Sequence, residues 1–175
     1  MRRGCILLAL ALILALLPGC AGRAPEGEGY RLYFLTDSQT VHGSALGTEP
    51  YTGGQTADGE SAPTPGELIQ ALLSGPATEG LTSPFPRGVT YQWWDWDEEK
   101  PGILRVGLSE QYGGLTDISL TLADYCIVLT LSQLEGVEGV EILSGGRMTY
   151  YRSHQILQAE EAVLTEPKVE EMDET

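Results

Sequence analysis

Alternation marks the first ordered stretch of the chain. In "YRLYFLT", Tyr30, Leu32 and Phe34 oppose Arg31 and Tyr33, and this period of two predicts a strand over residues 30–36. The next 27 residues, "DSQTVHGSALGTEPYTGGQTADGESAP", have no such period and are rich in Gly, Ser, Thr and Asp. They read as a mobile excursion with at most a weak strand near Val41. In "TPGELIQALLSG" the period changes to that of a helix. Leu68 and Leu72, with Ile69 and Leu73, recur at i and i+4. Thr64 can cap the first turn, Pro65 suits its first position, and Glu67 stands where a capping-box partner belongs. Gly75 and Pro76 stop the helix.

The stretch that follows, as far as Gly88, holds glycines, prolines, serines and an arginine in the proportions of a ligand-binding loop. It lacks the lysine of a P-loop, and its glycine spacing fits no dinucleotide fingerprint. Pro84 and Pro86 suit an extended crossing that Leu81 and Phe85 can pin to a core, so the stretch reads as architecture.

Two strand-like runs, "VTYQWWDWD" and "GILRVGLS", flank "EEKPG" and predict a hairpin. Simple alternation puts Val89, Tyr91 and Trp93 on one face of the first run, and Gln92, Trp94 and Trp96 on the other. "TDISLTLADYCIVLTLSQLEG" alternates at its start but is too long for an ordinary strand. Leu120, Ala123, Ile127, Leu131 and Leu134 form one helical row, and Ile118, Leu122, Tyr125, Cys126 and Leu129 a second. A helix apolar on two rows is largely buried. "VEGVEILSGG" supplies a last strand, with Val140 and Ile142 inward. The order is β-α-β-β-α-β, an α+β sandwich with two helices on one face of a mainly antiparallel sheet.

What lies outside this unit changes the picture. "MRRGCILLALALILALLPGC" has a positive start, an apolar run from Ile6 to Leu17 and small residues at its end, as in a secretory signal. The run is shorter than the roughly 20 residues a membrane span needs. "LPGC" resembles the lipobox of bacterial lipoproteins, which makes Cys20 the expected lipidation site and residues 1–19 the signal. The alternative is an ordinary signal cleaved near Gly19 or Ala21. Residues 20–29 then form a tether, 30–152 the domain, and 153–175 an acidic tail expected to be disordered or a frayed helix.

The formal charge of −15, which becomes −17 once Arg2 and Arg3 leave, argues against nucleic-acid binding and against contact with anionic headgroups through the protein surface. The expected membrane contact is the lipid, on the extracytoplasmic face. Of the cysteines, Cys5 leaves with the signal and Cys20 is lipidated, so Cys126 has no disulfide partner within the chain.

Chemistry is thinly represented. His42 and His154 are single residues far apart, outside any ligand spacing with Cys126, and no metal or cofactor is expected. Cys126 sits on a helix row that reads as core, so a Cys–His nucleophile is disfavoured, and there is no G-x-S-x-G elbow. Asp95, Asp97, Glu98 and Glu99 cluster at a hairpin end, where carboxylates are solvated; no enzymatic role is expected. The aromatic run "YQWWDW" is the better candidate. Trp94 and Trp96 could form a protein interface, or a stacking platform for a cell-wall glycan with Asp95 and Gln92 as hydrogen-bonding groups, or simply pack on the long loop.

Three stretches resemble the GerMN domain of sporulation and spore-germination lipoproteins. These are "ELIQALLSGPATEGLTSPFPRGV", "ILRVGLSEQY" and "VLTLSQLEGVEGVEILSGG". Between Asp37 and Pro65, where members carry a charged, strand-like segment, this chain is Gly-rich. The resemblance implies a fold similar to ring-building motifs and a membrane-anchored interaction or assembly role in sporulation or germination. Its implied partners are other sporulation membrane proteins or cell-wall components.

Overall fold

The computed structural model describes residues 29–37, 44–53, 62–145, 147–148 and 156–162. The fold is α+β, as the residue pattern predicts. Strand β1 (Arg31–Thr36) is followed by β2 (Leu46–Pro50), helix α1 (Pro65–Ser74) and β3 (Leu81–Thr82). Then come β4 (Tyr91–Trp96), β5 (Ile103–Leu108), a 3-10 turn (Glu110–Gly114), helix α2 (Asp117–Leu131) and β6 (Gly139–Ser144). Two short strands, β7 (Arg147–Met148) and β8 (Ile156–Leu157), follow.

The strands divide into two hydrogen-bonded sheets, where a single sheet was expected. One has the order β2-β1-β3. The other has the order β4-β5-β6-β7, with β8 also on β6. β4 and β5 form the expected antiparallel hairpin. β5 and β6 are parallel and connected through α2, since parallel neighbours need a crossover.

The Gly-rich excursion is the first place where residue pattern and structure part. β2 lies within it and pairs antiparallel with β1 over Arg31↔Pro50 to Leu35↔Leu46. Val41, the residue around which a weak strand was expected, lies outside the described residues. Gly47 is there for space rather than for mobility: a Cβ added to it would stand 2.6 Å from Leu81 Cδ2. Glu49 then locks the excursion down. Its carboxylate is buried and accepts the N–H groups of Ala77 (3.0 Å) and Thr78 (2.9 Å), just beyond the end of α1. The stretch from Leu72 to Gly88 is therefore architecture. Gly75 has φ +85, two of the next amides are held by Glu49, Leu81 and Thr82 form β3, and Phe85 packs toward Tyr112.

Helix α1 starts as its residues predict. Thr64 Oγ1 accepts the Glu67 N–H at 3.3 Å, and the Glu67 carboxylate accepts the Thr64 N–H at 2.7 Å. That N–H, and then the Thr64 hydroxyl, hold the Glu67 carboxyl below its ordinary value of 4.5. Because the folded value is the lower one, the cap's contribution is complete above pH 4.5 and fades as pH falls through the folded value. The melting temperatures of the native chain and of Glu67→Ala should thus differ at neutral pH and approach each other as pH falls through the folded value. A gap unchanged by acid would show that the carboxylate's charge contributes nothing.

Helix α2 buries the row Leu120, Ala123, Ile127 and Leu131, while Ile118 on the second row is 75 % exposed. Together with Phe34, Leu68, Leu72, Leu104, Val106 and Val140, the buried row forms the core. Thr130 Oγ1 accepts the Tyr33 N–H at 3.2 Å, and Gln133 both accepts the Arg31 N–H and donates to the Arg31 carbonyl. Side chains from the end of α2 thereby satisfy β1 backbone groups that would otherwise face an edge.

The acidic tail is the second departure. Its Ile156 and Leu157 are apolar in sequence but too few to signal a strand. They pair with Glu141 and Val140 of β6, and Leu157 and Ala162 are buried in the core. The segment expected to be disordered therefore contributes to the fold at 156–162, because the edge of β6 offers backbone partners and the core offers cover.

Candidate interaction surface

The hairpin β4–β5 positions all three tryptophans of the chain, and a bulge decides where they point. The register shifts between Tyr91 and Trp93, so alternation fails there and Tyr91 joins the face of Trp94. Both lie against the first turn of α1: a Cβ on Gly66 would stand 3.0 Å from the Tyr91 hydroxyl and 3.4 Å from Trp94 Cδ1. Trp94, the other candidate interaction residue, is partly buried and packs against the core. Trp96 lies opposite Leu104, beyond the helix, and is 43 % exposed. Among the described residues, Trp96 and Ile118 are the large apolar side chains left open to solvent.

Trp93 takes the opposite face, over Gly107, where an added Cβ would collide with the indole. The sequence did carry a signal for this placement, a glycine in mid-strand opposite a tryptophan. The Arg105 guanidinium lies 5.6 Å from the Trp93 ring centroid. It also pairs with Asp95 at 3.5 Å and with the buried carboxylate of Glu141 at 3.3 Å. Gly107→Ala should displace the indole and cost about 2 kcal/mol, with a changed tryptophan emission maximum. An unshifted spectrum and unchanged stability would mean that the ring is not seated on that glycine.

Acidic residues neighbour Trp96 in the chain. Asp95, Glu98 and Glu99 are exposed, and Asp97 Oδ1 accepts the N–H groups of Glu99 and Lys100 at 2.9 Å each. The Glu99 N–H is the main cause that holds the Asp97 carboxyl below its ordinary value. Asp97 therefore keeps its negative charge through the physiological range.

Chemistry of other kinds finds no footing among the described residues. Cys126 is buried, and loss of solvent pushes its thiol up to about 12, so it is inert as a nucleophile. No cluster of His, Cys, Asp and Glu among these residues could hold a metal ion. His42 and His154 lie outside the described residues, as do Cys20, the signal and most of the tether. No helix among the described residues is long and apolar enough to cross a membrane. An open groove of about 410 Å³ runs beside α1 past Tyr51, Gln70 and Ser74, but the Glu49 carboxylate at its wall is already engaged by backbone.

Comparisons with known proteins place this geometry. The family model Germane, described as sporulation and spore germination, matches residues 31–149. The structure of the tandem GerMN domains of the sporulation protein GerM from Bacillus subtilis aligns with 74 % of this chain at 16 % identity and a TM-score of 0.52. The alignment spans 43 % of that tandem structure, less than half its length. The first GerMN domain of the same protein aligns with 75 % of this chain and 97 % of its own length, at 15 % identity and a TM-score of 0.55. These likenesses show the fold. No curated protein matches the sequence.

Proposed function

The chain belongs to the Germane family, described as acting in sporulation and spore germination, and on that premise we propose that it is a non-enzymatic, lipid-anchored module that binds other proteins of the sporulating or germinating cell. The observation that carries this reading is the Trp96 indole, open to solvent at the end of the hairpin within an acidic stretch of the chain. Tryptophan at such a position supplies large contact area at little entropic cost. Cys20 is the proposed anchor, holding the domain at the extracytoplasmic face of the membrane through acyl chains. Cys20→Ser should release the protein from the membrane fraction; a variant that stays membrane-bound would point to a different attachment.

A cell-wall glycan is the second reading, and the hairpin favours it less. Trp93 is seated over Gly107 and Trp94 lies against α1, so a stacking platform would rest on Trp96 alone. The test is a photo-crosslinking residue at position 96 in a tagged, lipidated copy, compared between sporulating and growing cells. Capture of defined membrane proteins during sporulation supports an assembly role. Capture of wall fragments alone, in both conditions, replaces it with the glycan reading. Trp96→Ala is the matching loss-of-binding variant, because Trp94→Ala would also remove packing against α1.

A further inference from the structure

Among the described residues, the strands longer than two residues that stand at the outside of their sheets are β2, which ends in Pro50, and β4. The β1 edge is filled by Thr130 and Gln133. β7 and β8 both pair with β6. β4, the outer strand of the second sheet, has β5 on one side and no neighbour on the other among the described residues.

The ladder fixes which amides point outward. Asp97 N–H donates to the Ile103 carbonyl at 2.9 Å, and Asp95 pairs opposite Arg105. In an antiparallel pair these bonds alternate, so the backbone groups of Asp95 and Asp97 face β5, and those of Trp94 and Trp96 face away. Natural edges are blunted by lysine, proline, charge or a bulge. β4 has neither lysine nor proline, and its bulge lies between Tyr91 and Trp93, upstream of the regular stretch. Its charge is of one sign: "DWDEE" places four carboxylates over residues 95–99, followed by Lys100 alone.

We propose that the β4 edge accepts an extended, lysine- or arginine-bearing segment of another protein as an added strand. The segment's backbone pairs with Trp94 and Trp96, its cations meet Asp95, Glu98 and Glu99, and Trp96 covers its apolar side chains. This rests on the protein-binding role proposed above and specifies the partner's chemistry. Charge decides against a second copy as the occupant. Antiparallel pairing of Trp94–Trp96 with itself would bring Asp95 opposite the Asp95 of the copy, between two chains of formal charge −15.

The test uses the full chain in detergent micelles and three synthetic octapeptides: alternating Lys–Val, alternating Glu–Val, and Lys–Val with alternate backbone amides N-methylated. The Lys–Val peptide should bind, shift the amide resonances of Trp94 and Trp96, and weaken as salt rises. The Glu–Val and N-methylated peptides should bind at least about tenfold more weakly. Trp96→Pro removes an outward N–H and spares the β5 ladder, and should cause a similar loss. Equal affinity for Lys–Val and Glu–Val, or indifference to N-methylation, overturns the proposal without reliance on any protein variant. So does self-association through the Trp94 and Trp96 amides without peptide. In cells, crosslinked partners that persist in Trp96→Pro would leave the interaction role standing and remove the edge as its site. Capture of nothing by either form would remove the role itself.

Discussion

Replacing Leu157 by Ala is expected to lower the stability of the domain by about 3 kcal/mol, and replacing it by Asp to prevent folding. Leu157 lies beyond residue 149, where the match to the family ends, in a segment whose composition suggests a solvated tail. Yet it is 4 % exposed, pairs with Val140 on β6 and shares the core with Ala162. Truncation to Ala removes buried methyl groups and leaves a cavity beside Val140, and the aspartate would bury an unpaired charge. For a domain of this size, the Ala variant should melt about 10 °C below the native chain. Hydrogen exchange at the β8 amides should accelerate with it. Stability within about 0.5 kcal/mol of the native chain would show that β8 is an appendage rather than part of the core.

Gln133→Ala has the second-largest expected effect, about 2–4 kcal/mol. One amide side chain makes four hydrogen bonds. Its Oε1 accepts the Arg31 N–H at 2.9 Å, and its Nε2 donates to the carbonyls of Arg31 (2.7 Å), Thr130 (3.0 Å) and Leu129 (3.2 Å). The side chain thus finishes the last turn of α2 and stands in for a neighbouring strand at the start of β1. Alanine leaves both sets of partly buried backbone groups without it. Gln133→Glu separates the two roles. The carboxylate can still accept from Arg31 N–H but cannot donate to three carbonyls, so it should recover little of the loss. If Glu restores full stability, the donor bonds contribute nothing and the helix end is satisfied by solvent.

Much of the fold was legible because it rests on local chemistry. The start of α1 follows from Thr64, Pro65 and Glu67, whose capping contacts are made within four residues of one another. The burial of Leu120, Ala123, Ile127 and Leu131 follows from helical spacing alone. The hairpin followed from two alternating runs around a turn. The family was legible too, through the helix end, the central strand and the last strand, all of which lie within the matched residues.

The candidate surface was only half legible. Composition singled out the tryptophan run, but not which ring would be free. Alternation through "YQWWDW" put Trp94 and Trp96 on one face, where the register keeps them, and a bulge that no residue type announces moved Tyr91 to that face. Gly66 and Gly107 then decided the outcome, by letting indoles approach the helix on one face and the sheet on the other.

By itself, then, the sequence determined the helices, the hairpin, the acidic character and the family, because each depends on residues close in the chain or on summed composition. Tertiary structure alone decided that "LGTEP" is a strand, that residues 156–162 join the core and that β4 has no outer neighbour among the described residues. β2 exists because β1 offers it a backbone partner, Leu81 needs the space over Gly47, and the Glu49 carboxylate finds two amides 28 and 29 residues away. Leu157 is buried because β6 has an edge to be paired. Residues so weak in local propensity take the conformation that distant backbone groups and unfilled core volume assign to them.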